Sequence, residues 1–145
     1  MSVFLSPEHL LPVSLTTPSE EPMPATILLV DDNAVQAAIR QAVLKRAGYN
    51  VVVVLSSQRA LDQLRNHEFP YTIDLVLTDH MMPGMDGTQF VARIREFMPD
   101  LPVMVLSGMP NIEDAYAGLD VHFRNKPLLP SDLLATVHTL LELKP

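Results

Sequence analysis

The 145-residue sequence contains no cysteine and no tryptophan. The absence of cysteine excludes disulfide bonds and thiolate metal sites, and it suits a reducing compartment. Basic residues are also scarce, because 10 Lys and Arg stand against 17 Asp and Glu, for a net charge of −7. A chain of this charge with no basic cluster repels the phosphate backbone, so we expect no nucleic-acid binding.

Long hydrophobic runs and targeting segments are missing as well. No apolar stretch approaches the roughly 20 residues that a membrane span requires. Residues 1–6 lack the basic region and long apolar run of a secretory signal. The hydrophobic fraction of 48% and the charged fraction of 19% are typical of one globular domain. We therefore expect a cytoplasmic protein with no membrane partner.

Proline is unevenly distributed along the chain. Residues 1–25 contain Pro7, Pro12, Pro18, Pro22 and Pro24. Proline at that density interrupts both helices and strands. We predict a proline-rich leader or linker over residues 1–25, with one short ordered piece around residues 8–11. A single folded domain is predicted over residues 26–143.

Within that domain, short apolar runs alternate five times with helical patterns. The predicted strands cover residues 27–30, 51–55, 73–78, 103–106 and 121–124. The predicted helices cover residues 34–47, 58–66, 88–97, 112–117 and 132–143. Such alternation predicts an α/β fold, a doubly wound five-stranded parallel sheet with helices on both faces. The usual strand order for five units is the flavodoxin-like 2-1-3-4-5.

Helical spacing also selects the apolar face of each predicted helix. The inward positions are Val35, Ile39, Val43 and Leu44; Leu61 and Leu64; Phe90, Val91 and Ile94; and Leu133, Leu134, Val137, Leu140 and Leu141. Ser57 and Ser131 are predicted to cap the second and the last helix, because a serine oxygen can accept from the free amides of the first turn.

Polar side chains follow four of the five predicted strands. They are Asp31 and Asp32, Asp79, Ser107 and Lys126. Ligands bind open α/β sheets beyond the carboxyl ends of the strands, where the strand order reverses. In a 2-1-3-4-5 sheet this point lies between strands one and three, which carry the aspartates. We therefore expect these residues to converge on one pocket.

The chemistry of that pocket follows from its charges. Neighbouring carboxylates repel and stay ionised only beside a cation, and a few carboxylate oxygens plus water suit Mg²⁺. A carboxylate beside Mg²⁺ can attack a phosphoryl group and become an acyl phosphate. Lys126 would neutralise the transferring oxygens, and Ser107 could donate a hydrogen bond to the product. Each residue also has an ordinary alternative, since Asp32 or Asn33 can cap a helix and Ser107 can stabilise a turn.

Four segments resemble the response-regulator receiver domains of the CheY-like type. They are Leu77–Gly87, with the letters LTDHMMPGMDG, then Ile27–Asn33, Val103–Gly108 and Asn125–Pro127. The resemblance extends over about residues 26–143. It implies that Asp79 is the phosphoacceptor and that Ser107 and Lys126 contact the phosphoryl group.

The resemblance further implies a metal set and a switch. Asp32 and Asp79 would bind Mg²⁺ directly, Asp31 through water, and Met81 through its backbone carbonyl. Ser107 and Phe123 would change position on phosphorylation. Phe123 is equally placed for ordinary packing of the fifth strand.

Two departures from the family pattern carry their own expectations. The interval from Ser107 to Lys126 is short, and it contains Pro110 and Gly118, so the fourth helix is predicted to be short or irregular. Met81 and Met109 flank the predicted pocket. A methionine can neither orient nor activate water, so we expect a long-lived phosphoryl group.

The sequence thus predicts a phosphoacceptor module of a two-component phosphorelay that signals by protein contact. Its expected partners are a sensor histidine kinase or phosphotransfer protein and an unidentified downstream protein. It would not be an enzyme beyond assisting its own phosphorylation and dephosphorylation. One alternative is a receiver cut from a hybrid histidine kinase. Another is a metal-dependent aspartyl phosphohydrolase, disfavoured because the acidic pair is adjacent and the best acceptor follows strand three.

Overall fold

The computed structural model describes residues 23–143. The strands are β1 (Thr26–Val30), β2 (Asn50–Val54), β3 (Leu75–Asp79), β4 (Val103–Ser107) and β5 (His122–Asn125). The helices are α1 (Ala34–Arg46), α2 (Ser57–Arg65), α3 (Gly87–Phe97) and α4 (Pro130–Glu142), with a 3-10 helix (Glu113–Tyr116) between β4 and β5. Most of the predicted leader, including the piece around residues 8–11, lies outside the described residues. The division of the chain at residue 25 stays a prediction.

The five strands form one parallel sheet in the order β2-β1-β3-β4-β5, which confirms the predicted fold class and order. Every residue of β1, β3 and β4 is buried. Central parallel strands read as continuous apolar runs because helices cover both of their faces. Among residues 23–143, no helix is long and apolar enough to cross a bilayer.

Alternate residues of the central strands feed two separate cores, one on each face of the sheet. Leu28, Val76 and Val105 pack under α2 and α3, whose buried residues include Leu61 and Phe90. The intervening strand residues pack under α1 and α4. The two-residue period of a strand and the crossovers on both sides of the sheet produce this division.

The connection between β4 and β5 contains a single 3-10 helix, which confirms the short fourth helix. The backbone takes positive φ values at Asn111, Gly118 and Asp120, residue types that tolerate the left-handed region. Arg95 of α3 holds the end of this connection. Its guanidinium donates hydrogen bonds to the carbonyls of Leu119, Asp120, Met98 and Leu101 over 2.7–3.1 Å.

The predicted inward face of α1 is wrong in part. Val35 and Ile39 are 69% and 60% exposed, whereas Ala37 and Leu44 are buried. Residues 37 and 44 are two turns apart and share a face, so α1 is rotated away from the larger apolar side chains. The inward residues of α2 and α3 are confirmed. In α4, Leu133, Val137 and Leu140 are buried, and Leu134 and Leu141 pack at the edge of the same core.

Both predicted serine caps are wrong. Ser56, one residue earlier than predicted, caps α2 by accepting from the Arg59 amide. Ser57 is instead buried and donates to the Met85 carbonyl at 2.7 Å, a tertiary contact that local propensity does not encode. At α4, Pro130 occupies the first turn with no side-chain cap, because proline needs no partner for an amide and its φ already suits a helix.

Candidate functional site

Asp79 is the last residue of β3 and is 4% exposed. In the parallel register Val30 pairs with Thr78, so Asp31 leaves β1 at the level of Asp79 on β3. On the other side, Asp79 pairs with Leu106 of β4, one residue before Ser107. The sheet register alone therefore brings two carboxylates from distant segments to the same edge.

Asp31 is fully buried and fixed by its own loop. Its Oδ1 accepts from the Asn33 amide at 2.9 Å, and its Oδ2 faces the guanidinium of Arg40. Burial raises the pKa of Asp31 from 3.8 to about 6. The Asn33 amide opposes this rise in the pKa, the neighbouring Asp79 carboxylate reinforces it, and Arg40 opposes it.

Two cations meet the acidic pair. Lys126 Nζ lies 2.8 Å from Asp79 Oδ1. Arg40 Nη1 lies 2.8 Å from Asp31 Oδ2 and 3.5 Å from Asp79 Oδ1. Asp79 Oδ1 is buried, and its contact with Lys126 has the length of a charge-assisted hydrogen bond. Two buried carboxylates thus pair with two partly exposed cations at this edge of the sheet.

Ser107 and Phe123 lie on the strands beyond Asp79. Ser107 ends β4, is almost fully buried, and accepts from the Met109 amide at 3.0 Å through Oγ. Its carbonyl accepts from the Lys126 amide at 2.9 Å, which places Lys126 directly after β5. Phe123 is partly buried, and its ring lies 5.7 Å from that of Tyr116, centroid to centroid.

Asp32, Met81 and Met109 are solvent-exposed in this arrangement. Within residues 23–143, no three acidic or histidine side chains converge as a ready-made metal site. Two of the three expected carboxylates, Asp31 and Asp79, lie together, while the third faces solvent. Asp32 and Asn33 were the two residues predicted as possible helix caps. Asn33 is the one that caps α1, by accepting from the Gln36 amide.

Arg40, His80 and Tyr116 are absent from the predicted site. His80 directly follows Asp79, and its Nδ1 lies 2.6 Å from the hydroxyl of Tyr116, the last residue of the 3-10 helix. Both side chains are buried. The position of Arg40 has a signal in the sequence. Residues 37, 40 and 44 follow helical spacing, so Arg40 lies on the same side of α1 as the buried Ala37 and Leu44.

A sequence model of the response regulator receiver domain matches residues 27–138. The chain belongs to this family. The receiver domain is 36% identical over 118 residues to the transcriptional regulatory protein ZraR of Escherichia coli. It is 35% identical over 123 residues to the response regulator MprA of a Mycobacterium species. A solved receiver protein from Sinorhizobium medicae superposes with a TM-score of 0.74 at 31% identity, covering 84% of this chain and 98% of that one.

The matches cover different shares of the two chains. They take in 79% of this chain against ZraR and 82% against MprA. In turn, the receiver domain spans 26% of the length of ZraR and 51% of that of MprA. The shared part is a receiver domain of two-component signalling.

Proposed function

We propose that this receiver domain is the phosphoacceptor of a two-component phosphorelay, with Asp79 as the residue that is phosphorylated. The observation that carries the proposal is the convergence of Asp79 with Asp31 and Lys126 at the carboxyl edge of the sheet. Three separate strands deliver these residues, so their meeting depends on the whole fold. As in receiver domains generally, the role is that of a signalling module rather than an enzyme.

The proposed reaction uses a carboxylate oxygen of Asp79 as the nucleophile. It attacks the phosphorus of a phosphohistidine, a P–O bond forms, and the P–N bond to the donor's imidazole breaks. Lys126, already 2.8 Å from Asp79 Oδ1, is placed to stabilise negative charge on the phosphoryl oxygens. Ser107 would move its hydroxyl from the Met109 amide to the new phosphoryl group.

The pocket also fits a hard divalent cation. Its ligand atoms are oxygens, and the buried carboxylates of Asp31 and Asp79 lie next to each other, where their mutual repulsion favours a bound cation. Asp31, Asp32, Asp79 and the Met81 backbone carbonyl are the groups that would hold Mg²⁺. When bound, the ion supplies neutralisation of charge on the transferring group.

Phosphorylation would change the packing of the sheet edge through Ser107 and Phe123. The modification takes Asp79 from one negative charge to about two and adds acceptor oxygens. A shift of Ser107 toward them leaves space along β4 and β5, into which Phe123 can turn. We propose a shift between two packings of the same fold, read by a downstream protein.

A donor protein must reach Asp79 across the rim of the pocket. Arg40 and Lys126 also line a neighbouring groove of about 480 Å³, together with Ile39 and Leu128. The exposed Val35 lies one turn before Ile39 on the same face of α1. An apolar rim beside a buried acceptor supports delivery by a protein, here proposed as a histidine kinase or phosphotransfer protein.

Phosphorylation by acetyl phosphate with Mg²⁺ tests the proposal directly. The wild-type chain and Asp62→Ala, a matched loss of an exposed carboxylate on α2, should both be labelled at one site. Asp79→Ala should carry no label. An unlabelled wild type, or a label that persists in Asp79→Ala, would remove Asp79 as the acceptor. Turnover of a generic phosphatase substrate would instead favour the phosphohydrolase.

A further inference from the structure

The guanidinium of Arg40 is the unexpected feature of the pocket. Its side chain is 17% exposed, and it enters the pocket from α1. Nη1 contacts Asp31 Oδ2 at 2.8 Å and lies 3.5 Å from Asp79 Oδ1, so one nitrogen sits between the two carboxylates. A cation held by both aspartates would be close to this nitrogen.

Arg40 contacts one oxygen of each carboxylate, Asp31 Oδ2 and Asp79 Oδ1. Asp31 Oδ1 is already taken by the Asn33 amide, so Oδ2 is the oxygen that faces the pocket. Asp79 Oδ1 is buried and forms ion pairs with Arg40 at 3.5 Å and with Lys126 at 2.8 Å. The guanidinium and a divalent cation held by the same two carboxylates would therefore compete for one place in the pocket.

The charges of the pocket also balance as they stand. The two carboxylates of Asp31 and Asp79 face the two cations of Arg40 and Lys126. Adding a divalent cation while Arg40 stays in place would put like charges next to one another, which is unfavourable at close range. The Arg40 side chain has space to move into, because it also lines the groove of about 480 Å³ beside α1.

We propose that Arg40 is an internal counter-cation that holds the acidic pair together and must leave before a divalent cation can bind. The inference rests on the cation site of the proposed function. Arg40 thereby lowers the apparent Mg²⁺ affinity, since only the fraction of molecules with Arg40 withdrawn is competent to bind. Arg40 positions the two carboxylates and sets the affinity for Mg²⁺, and it takes no part in the phosphoryl transfer itself.

Calorimetric titration with MgCl₂ at constant ionic strength tests this competition. Arg40→Met should bind Mg²⁺ about tenfold more tightly than the wild type, the change expected for removing one close like charge. Arg46→Met is the matched control, because it removes the same charge from an exposed position on the same helix. Its affinity should stay within about twofold of the wild type, as expected for a distant, screened charge.

Thermal unfolding gives a second readout that is independent of phosphorylation. Without Mg²⁺, Arg40→Met should melt below Arg46→Met, because Asp31 and Asp79 then repel without their bridging cation. Added MgCl₂ should raise the Tm of Arg40→Met more than that of the wild type. If Arg40→Met fails to fold, Arg40→Gln removes the charge with less change of shape and should show the same tightening.

Equal Mg²⁺ affinities of Arg40→Met and Arg46→Met would overturn the competition. Weaker binding by Arg40→Met would overturn it too, since Arg40 would then assist the ion. Neither result affects Asp79, whose labelling is measured separately. Loss of Asp79 labelling in the wild type would remove the proposed function, whatever the affinity of the Arg40 variants.

Discussion

Two regions adjoin Asp79, and they are held by different forces. The acidic pocket is held by ion pairs of Asp31 and Asp79 with Arg40 and Lys126. The β4–β5 connection is held by hydrogen bonds from Arg95 to the carbonyls of Leu119 and Asp120 and by the buried Tyr116. The pocket depends on which cations are present, whereas the connection has neutral acceptors that do not change. Substitutions in the pocket should therefore change mainly cation binding, and substitutions in the connection should change mainly the free energy of unfolding.

The difference has a physical origin. An unpaired buried charge is destabilising, so an added cation or phosphoryl group would rearrange the ion pairs of the pocket. A backbone carbonyl keeps its hydrogen bond whatever binds nearby. The connection contains a 3-10 helix in place of a full helix, and two bonds from Arg95, to Leu119 and Asp120, fix its end.

The largest loss of stability is expected for Arg95→Met. It removes four hydrogen bonds, two to carbonyls before β4 and two to carbonyls before β5, and we expect the free energy of unfolding to fall by about 3 kcal/mol. Arg93→Met removes an exposed charge from the same helix and serves as the control. Urea unfolding measures both, and equal losses would show that the connection does not depend on Arg95.

Gly87→Ala is expected to cost about 2 kcal/mol, typical of overpacking. A Cβ at Gly87 would overlap the Tyr116 hydroxyl and lie 2.9 Å from the His80 Cα. Gly108→Ala is the control, because nothing lies within 4 Å of its Cβ position. Thermal unfolding compares the two. A neutral Gly87→Ala would mean that both Tyr116 and the backbone at His80 can shift, and this region would then be looser than the structure indicates.

Tyr116→Phe should lower the free energy of unfolding by about 1 kcal/mol, because it leaves buried His80 without the phenol. The same change should also make the free energy of unfolding depend less on pH in the alkaline range. Burial raises the pKa of Tyr116 from 10.0 to about 12. The native state therefore holds this proton where the unfolded chain releases it, and stability should fall as pH rises from about 10 to about 12.

Absorbance at the phenolate band and urea unfolding across that pH range check this prediction. The wild type should lose stability along a slope that Tyr116→Phe lacks. Identical slopes in the two proteins would contradict the burial of the phenol.

Met81→Asn should have the smallest effect on stability, within about 0.5 kcal/mol, because the side chain is 62% exposed. It should nevertheless shorten the lifetime of the phosphoryl group on Asp79, since an amide can orient water where a thioether cannot. The decay of label after removal of acetyl phosphate measures this. Decay of the wild type within seconds would contradict the long lifetime predicted from Met81 and Met109.

Much of the fold was predictable because its signals are local and strong. Continuous β-branched and leucine runs mark strands that are buried on both faces, and they need no partner to be recognised. The leucines of α2 and α4 stand out because their neighbours are polar. The serine caps failed because Ser56 and Ser57 are equivalent locally, and a hydrogen bond to Met85, 28 residues away, distinguishes them.

Some residues of the site were also predictable from the sequence, and others were not. The sequence by itself determined that acidic and polar residues end the strands, because a carboxylate directly after an apolar run can only lie at the sheet edge. Whether Arg40 joins them could be decided only by the tertiary structure. Its place depends on the rotation of α1, which packing against the sheet sets through Ala37 and Leu44. That rotation exposes Val35 and Ile39 and, on the same axis, turns Arg40 onto the two aspartates.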